Sequence, residues 1–399
     1  MYATWAAKLM RPALVSATGI LGVLTIVEIA AVVVRRIATE TTPGERYVRI
    51  LGHGQDDGGV FLDFDAESFA SHPGPLSLSA PTTSNAAGQT LDLEVGQPTD
   101  STVRRYVKAG DVEPLVSAGE GRCSGHLGKT PASFALEYSS VTIGNFPAWI
   151  VPGRESGRSD VWAIHIHGLG SSRSQVLRGL PLFNNSGLTS LVPSYETSLD
   201  NEGAARTSNL GTTEWKSIAA AQEYAMSQGA RQIIYVGWSL GASLALRAAA
   251  ASPGPVAGAV LVSPALDWKN VILHGMTHRG LPGWLAKAVL RRFNHIHLGN
   301  RPAIRWKEMP GHPESQMPAI PLLILHGMAD RTVPIEHSRQ LAAHHRGETD
   351  LVEFEFASHT LEWNADRSLW ERSVGGWLAS RRGNDHDNAA TMGGNRSAE

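Results

Sequence analysis

The feature that most restricts this chain lies at 233–246, where Ile-Ile-Tyr-Val runs into Gly-Trp-Ser-Leu-Gly and then into Ala-Ser-Leu-Ala-Leu. An apolar run with β-character, a short glycine-flanked turn and an Ala/Leu-rich stretch predict a buried strand passing directly into a helix. A turn that tight leaves no room for side chains against the neighbouring strand and helix, which accounts for Gly237 and Gly241. It also forces Ser239, between them, into a strained backbone conformation that exposes its hydroxyl.

The surrounding sequence supplies the rest of such a sheet. From about residue 158, apolar strands at 161–167, 190–193, 232–236, 257–262, 321–326 and 351–356 alternate with helical spacing at 214–228, 241–251 and 369–381. That alternation predicts an α/β fold with a mostly parallel central sheet and helices on both faces. Ligands of such sheets sit at the carboxyl ends of the strands. Residues from Asp267 to about 318 interrupt the pattern and read as a short helical cap, with 284–293 amphipathic.

A serine hydroxyl becomes a useful nucleophile only when a histidine takes its proton and a carboxylate orients that histidine. Chain order on this kind of sheet is serine, acid, histidine. Asp330 follows the strand ending at His326, and His359 follows the strand ending at Phe356. Ser239, Asp330 and His359 are therefore the expected catalytic residues. Asp330 as a turn-stabilising residue and His359 as an exposed loop histidine are the bland alternatives. Asp267, also just after a strand, is the competing acid, although beginning the cap suits it better. The oxyanion of a tetrahedral intermediate needs N–H donors. Leu240, directly after the nucleophile, and Leu169, in His167-Gly168-Leu169-Gly170, are the expected ones, with His167 shaping that loop.

His165 and His167 share one strand face, but Gly-Leu-Gly-Ser-Ser follows where a dinuclear metal site would need further ligands. His295 and His297 have no carboxylate nearby, so no metal is expected. The single cysteine, Cys123, can form no internal disulfide and reads as a buried thiol. A formal net charge of -2 gives no reason to expect nucleic acid as a partner.

Towards the N-terminus, residues 13–34 are apolar with one charge, Glu28. Their length suits a membrane-spanning helix. Arg35 and Arg36 follow where a cleaved signal would carry small residues, so the expectation is an uncleaved single-pass anchor over 1–36; a buried soluble helix, since Glu28 and several small residues dilute the run, and an interfacial helix, which would need a charged face, are the alternatives. Lys8 and Arg11 on one flank balance the arginines on the other, leaving its orientation open. Residues 37–157 carry short extended runs separated by Gly-Gly, Pro-Gly and Gly-Asp turns, and read as a β-rich region without a catalytic motif. Residues 158–382 are the catalytic domain, and the polar stretch 383–399 reads as a disordered tail.

In these residues the chain resembles the α/β-hydrolase superfamily over roughly 158–381. Thr213-Glu214-Trp215, Gly229-Ala230-Arg231, Gly237-Trp238-Ser239, Leu266-Asp267-Trp268 and Ser358-His359-Thr360 are similar to bacterial membrane-anchored hydrolases of the prolyl oligopeptidase-like and serine aminopeptidase-like group. The resemblance implies the triad Ser239, Asp330 and His359 and no cofactor. The chain departs from true prolyl oligopeptidases in having no large β-propeller module. The expected activity is hydrolysis of a carboxylic ester, a lipid or acyl ester, through an acyl-enzyme on Ser239. The alternatives are a peptidase or amidase with the same triad, and a non-catalytic hydrolase-fold protein that binds a partner. The expected partners are a small ester or acyl substrate and, through the N-terminal helix, a membrane.

Overall fold

The computed structural model describes residues 17–41, 46–80, 90–98, 101–154, 160–293, 304, 306–309 and 317–393. A helix, α1 (Ala17–Thr39), is followed by strands β1 (Tyr47–Asp56), β2 (Gly59–Asp65), β3 (Leu76–Ser79), β4 (Thr90–Pro98) and β5 (Thr102–Val107). After helix α2 (Glu113–Ala118), β6 (Glu120–Ser124) pairs with both β1 and β3, closing a six-stranded barrel in the order β1-β2-β5-β4-β3-β6. Alternation builds its core. Leu62 and Phe64 of β2, Leu76 and Leu78 of β3, Leu91 and Leu93 of β4 and Cys123 of β6 all point inward and are buried. The Cys123 thiol is pushed up to about 12 by burial, which makes it a core group.

The second sheet has eight strands in the order β14-β13-β12-β11-β9-β10-β8-β7. They are β7 (Ser139–Ile143), β8 (Phe146–Val151), β9 (Val161–Ile166), β10 (Thr189–Pro193), β11 (Gln232–Trp238), β12 (Val256–Val262), β13 (Leu322–Gly327) and β14 (Thr349–Phe354). Strands β9 and β13 are buried along their whole length, as near-continuous apolar runs covered on both faces must be. The helices between and beyond these strands include α3 (Leu180–Asn185), α4 (Trp215–Ser227), α5 (Leu240–Ala251), α6 (Trp268–His278), α7 (Gly283–Phe293), α8 (Glu336–His344), α9 (Glu362–Ala365) and α10 (Arg367–Gly393).

Two expectations need revision. The β-rich region does not extend to 157, because β7 and β8 form a hairpin that joins the large sheet, with β8 antiparallel to β10. Both kinds of strand are short and turn-bounded, so local sequence cannot tell which sheet they enter. At the other end, α10 continues to Gly393 through residues expected to be a disordered tail; no proline stops it.

The expected membrane anchor finds no support among the described residues. Residues 13–16 of the expected span lie outside the described residues, and among these no helix is long and apolar enough to cross a membrane. Helix α1 instead packs along α7, with Val27 and Ala31 buried in the same core as Leu285, Val289 and Phe293. Glu28, the one charge in the apolar run, pairs with Arg292 of α7. The helix end is tied to the segment before α4 by Thr41 N–H to the Arg206 carbonyl (3.1 Å) and Ser208 N–H to the Thr39 carbonyl (2.7 Å). Ile26, Ile29, Val33 and Ile37 on its opposite face are exposed.

Candidate active site

Strand β11 delivers Ser239 to the sheet's edge at a backbone φ of 53° and ψ of -115°, a conformation unfavourable for a residue with a side chain. The surroundings hold it there. Ser239 N–H donates to the Val262 carbonyl (2.9 Å), and its own carbonyl accepts from Ala242 N–H (3.1 Å) and Ala265 N–H (3.2 Å). A Cβ on Gly237 would come within 2.6 Å of the Ala242 backbone, and one on Gly241 within 2.2 Å of the Ile166 carbonyl. Neither position tolerates a side chain without moving a strand or the helix.

Two further strand ends converge on this serine. His359, in the loop after β14, places Nε2 2.8 Å from Ser239 Oγ and Nδ1 2.6 Å from Asp330 Oδ2. Asp330, after β13, is buried, and its Oδ1 accepts from the N–H groups of Thr332 (2.7 Å) and Val333 (2.9 Å). Burial alone would raise its carboxyl. The charge of His359 and hydrogen bonds from His326 and His359 outweigh that and hold it well below the usual carboxylate range. An ionised Asp330 accepts the Nδ1 proton of His359, which leaves Nε2 free to accept from Ser239 Oγ–H. The competing acid, Asp267, lies elsewhere: it caps α6, accepting from Asn270 N–H (3.1 Å).

Of the two expected oxyanion donors, one directly follows the serine and the other follows Gly168. Leu240 is the first residue of α5, where an N–H has no intrahelical acceptor. Leu169 follows Gly168, whose N–H is taken by Gln175 Oε1 (2.6 Å) and whose absent side chain would stand 3.1 Å from Ser239 Cβ. His167 stacks on Tyr195 at 4.4 Å, bonds the Gly168 carbonyl through Nδ1 (2.9 Å) and Ser198 Oγ through Nε2 (2.5 Å). It shapes the loop. His165 is buried against Phe183 and Ser190 Oγ. Among the described residues no group of three or more His, Cys, Asp or Glu side chains is placed to hold a metal ion; His295 and His297 lie outside them.

Sequence reasoning missed a buried layer beneath the three side chains. His326 places Nε2 3.3 Å from Asp330 Oδ2 and 3.0 Å from the Val333 carbonyl, and Nδ1 2.6 Å from Ser338 Oγ. Glu362, fully buried, accepts from Ser263 Oγ (2.5 Å) and Gly327 N–H (3.1 Å), and Ser263 Oγ accepts from Thr360 N–H (3.0 Å). Burial raises the Glu362 carboxyl. Only the place of these residues at strand ends and three positions past His359 could have flagged them.

Residues 200–384, which contain all three side chains, match the prolyl oligopeptidase family profile. With that match go the serine at a strained strand-to-helix turn and the order serine, acid, histidine at the ends of β11, β13 and β14. The chain has the α/β-hydrolase fold, and its residues 200–384 carry the prolyl oligopeptidase family match. This hydrolase-fold chain matches no curated protein sequence. Similar solved structures include an esterase from Pyrococcus furiosus, at 20% identity over 63% of this chain and 94% of that one, with a TM-score of 0.48. Est1E from Butyrivibrio proteoclasticus with ferulic acid bound is 16% identical, covering 61% and 99% of the two chains at a TM-score of 0.47. The mouse alpha/beta hydrolase domain-containing protein 10 is 20% identical, covering 61% and 99% at 0.44.

Proposed function

We propose that this hydrolase-fold chain is a serine hydrolase that cleaves carboxylic esters, lipid or acyl esters, through an acyl-enzyme on Ser239. The observation that carries the reading is the unbroken relay Ser239 Oγ, His359, Asp330, with contacts of 2.8 and 2.6 Å around a strained serine. In the first half-reaction His359 Nε2 takes the Ser239 proton as Oγ attacks the acyl carbon, and ionised Asp330 stabilises the imidazolium. The Leu240 and Leu169 N–H groups hold the developing oxyanion. The imidazolium then protonates the departing alcohol. In the second half-reaction His359 takes a proton from water, hydroxide attacks the acyl-enzyme, and Ser239 is released with its proton restored.

An ester is favoured over a peptide by the module beside the site. The barrel's interior is filled by Leu62, Phe64, Leu76, Leu78, Leu91 and Leu93, so it offers no passage through which a peptide could be threaded. The family match supports a second reading, a peptidase or amidase with the same three residues. The test is turnover of short p-nitrophenyl esters beside aminoacyl p-nitroanilides by the purified chain and by Ser239→Ala. Ester turnover lost in S239A, with slower or no amide cleavage, is the expected result. Ester turnover undiminished in S239A overturns the reading, and preferential amide cleavage replaces ester by peptidase.

A further inference from the structure

The loop that carries His359 is held from outside its own sheet, by residues of the N-terminal barrel and the segment just after it. His72 lies in the turn between β2 and β3. Its Nδ1 bonds the Pro73 carbonyl at 2.7 Å, so Nδ1 carries the proton and Nε2 presents a lone pair. That lone pair accepts the N–H of Ser358, the residue before His359, at 3.2 Å. Asn364, just beyond the same loop, donates from Nδ2 to the carbonyls of Pro75 (2.7 Å) and Gly125 (3.1 Å). Arg178, buried, joins the Gly125 carbonyl (2.8 Å) to the Thr360 carbonyl (2.5 Å).

The barrel side of this contact is rigid. The buried Arg105 guanidinium donates to the carbonyls of Ala70 (2.7 Å), Gly74 (2.7 Å) and His72, pinning the turn from within. The two surfaces also meet too closely for side chains. A Cβ on Gly74, at φ +82°, would lie 1.5 Å from the Asn364 carbonyl oxygen, and one on Gly125 would lie 2.0 Å from Leu361 Cδ2. Loops that merely touch leave more room.

We infer that His72 is a positioning residue for His359: the barrel supplies the acceptor that fixes the backbone immediately before the catalytic imidazole. The inference rests on the serine-hydrolase reading. Thr360, immediately after His359, sits at φ +59°, a strained conformation for a β-branched residue, and is held by Ser263 and Arg178. His72 holds the other side. With both neighbours of His359 fixed, the imidazole stays between Ser239 and Asp330. Burial, reinforced by the charges of Arg105, Arg46 and Arg178, keeps the His72 ring neutral at neutral pH by pushing it down to about 4, so the acceptor persists. A displacement of roughly 1 Å in a catalytic group costs on the order of a hundredfold in rate.

The test compares His72→Leu, which removes the acceptor, with His72→Gln, whose carbonyl oxygen reaches to where Nε2 lies, in the full chain. H72L is expected to lower kcat for a p-nitrophenyl ester roughly tenfold to a hundredfold with KM unchanged. Hydrogen exchange is expected to quicken in the peptide spanning Ser358; H72Q is expected to restore both. In the unmutated chain, ring nitrogen chemical shifts should show His72 as the Nδ1–H tautomer, a readout that needs no variant to fold. Parent-like kcat in a folded H72L, or an Nε2–H tautomer in the unmutated protein, overturns the inference. Failure of the hydrolase reading shows separately, as ester turnover that S239A leaves undiminished.

Discussion

The Nε2 of His359 lies 2.8 Å from the Oγ of Ser239, 120 residues earlier in the chain, while its Nδ1 lies 2.6 Å from Asp330. Asp330 is thus the carboxylate that sets the tautomer of His359, and Asp267 is a helix cap. Asp330→Asn should leave the protein folded and lower kcat by about four orders of magnitude, the scale seen when a triad acid becomes an amide. Asp267→Asn should keep parent-like kcat. Steady-state kinetics on both variants check this; parent-like turnover in D330N contradicts it.

The turn around Ser239 is sterically closed. Gly241→Ala puts a methyl group 2.2 Å from the Ile166 carbonyl oxygen, which forces β9 and α5 apart. The expected cost is about 1–3 kcal/mol or more, as for overpacking in a well-filled core. Urea unfolding followed by circular dichroism measures it, and an unchanged midpoint would show that the turn has slack.

Stability should fall on acidification through the range in which three buried histidines resist charging, with the raised Glu362 carboxyl acting the other way. Burial pushes His165 down to about 3 and His167 down to about 4, and His72 is likewise pushed down to about 4. In the unfolded chain each takes up a proton near pH 6.5. Between those values the unfolded state binds more protons, so the unfolding free energy declines as pH falls, by about 1.4 kcal/mol per pH unit for each such histidine. Asp330 acts in the same direction lower down. Its folded value is depressed, so its contribution is complete above the unfolded carboxylate value of about 3.9 and is lost as pH falls below that. Urea midpoints at pH 7 and pH 5 check the first window, and a flat profile there contradicts it.

Helix α1 should behave as part of the core. Ala31 is fully buried beside α7, so Ala31→Asp buries an unpaired carboxylate. A loss of several kcal/mol is expected. Thermal unfolding measures it; an independent N-terminal segment would leave the melting temperature of the catalytic domain untouched.

The meeting of Ser239, His359 and Asp330 was readable because each follows a β-strand at the carboxyl edge of a sheet whose alternation is itself readable. Ser239, Asp330 and His359 each follow a run that is apolar or alternating, and strand ends converge by construction. What escaped depended on partners distant in sequence. The apolar run 13–34 has the composition of a span; only α7, with Arg292 for Glu28, shows what the described part of it packs against. Strands β7 and β8 read like their barrel neighbours because sheet membership is set by β10. His72 sits in a His-Pro-Gly turn that reads as punctuation, and nothing local announces that its imidazole reaches Ser358.

Labelling with a fluorophosphonate tests the central claim most directly, since phosphonylation requires a serine hydroxyl already poised for attack. The folded full-length chain, labelled, digested and analysed by mass spectrometry, should carry one adduct, on Ser239, absent in S239A and formed far more slowly in His359→Ala. A folded chain that takes no label, or takes it equally well without the Ser239 hydroxyl, contradicts the account.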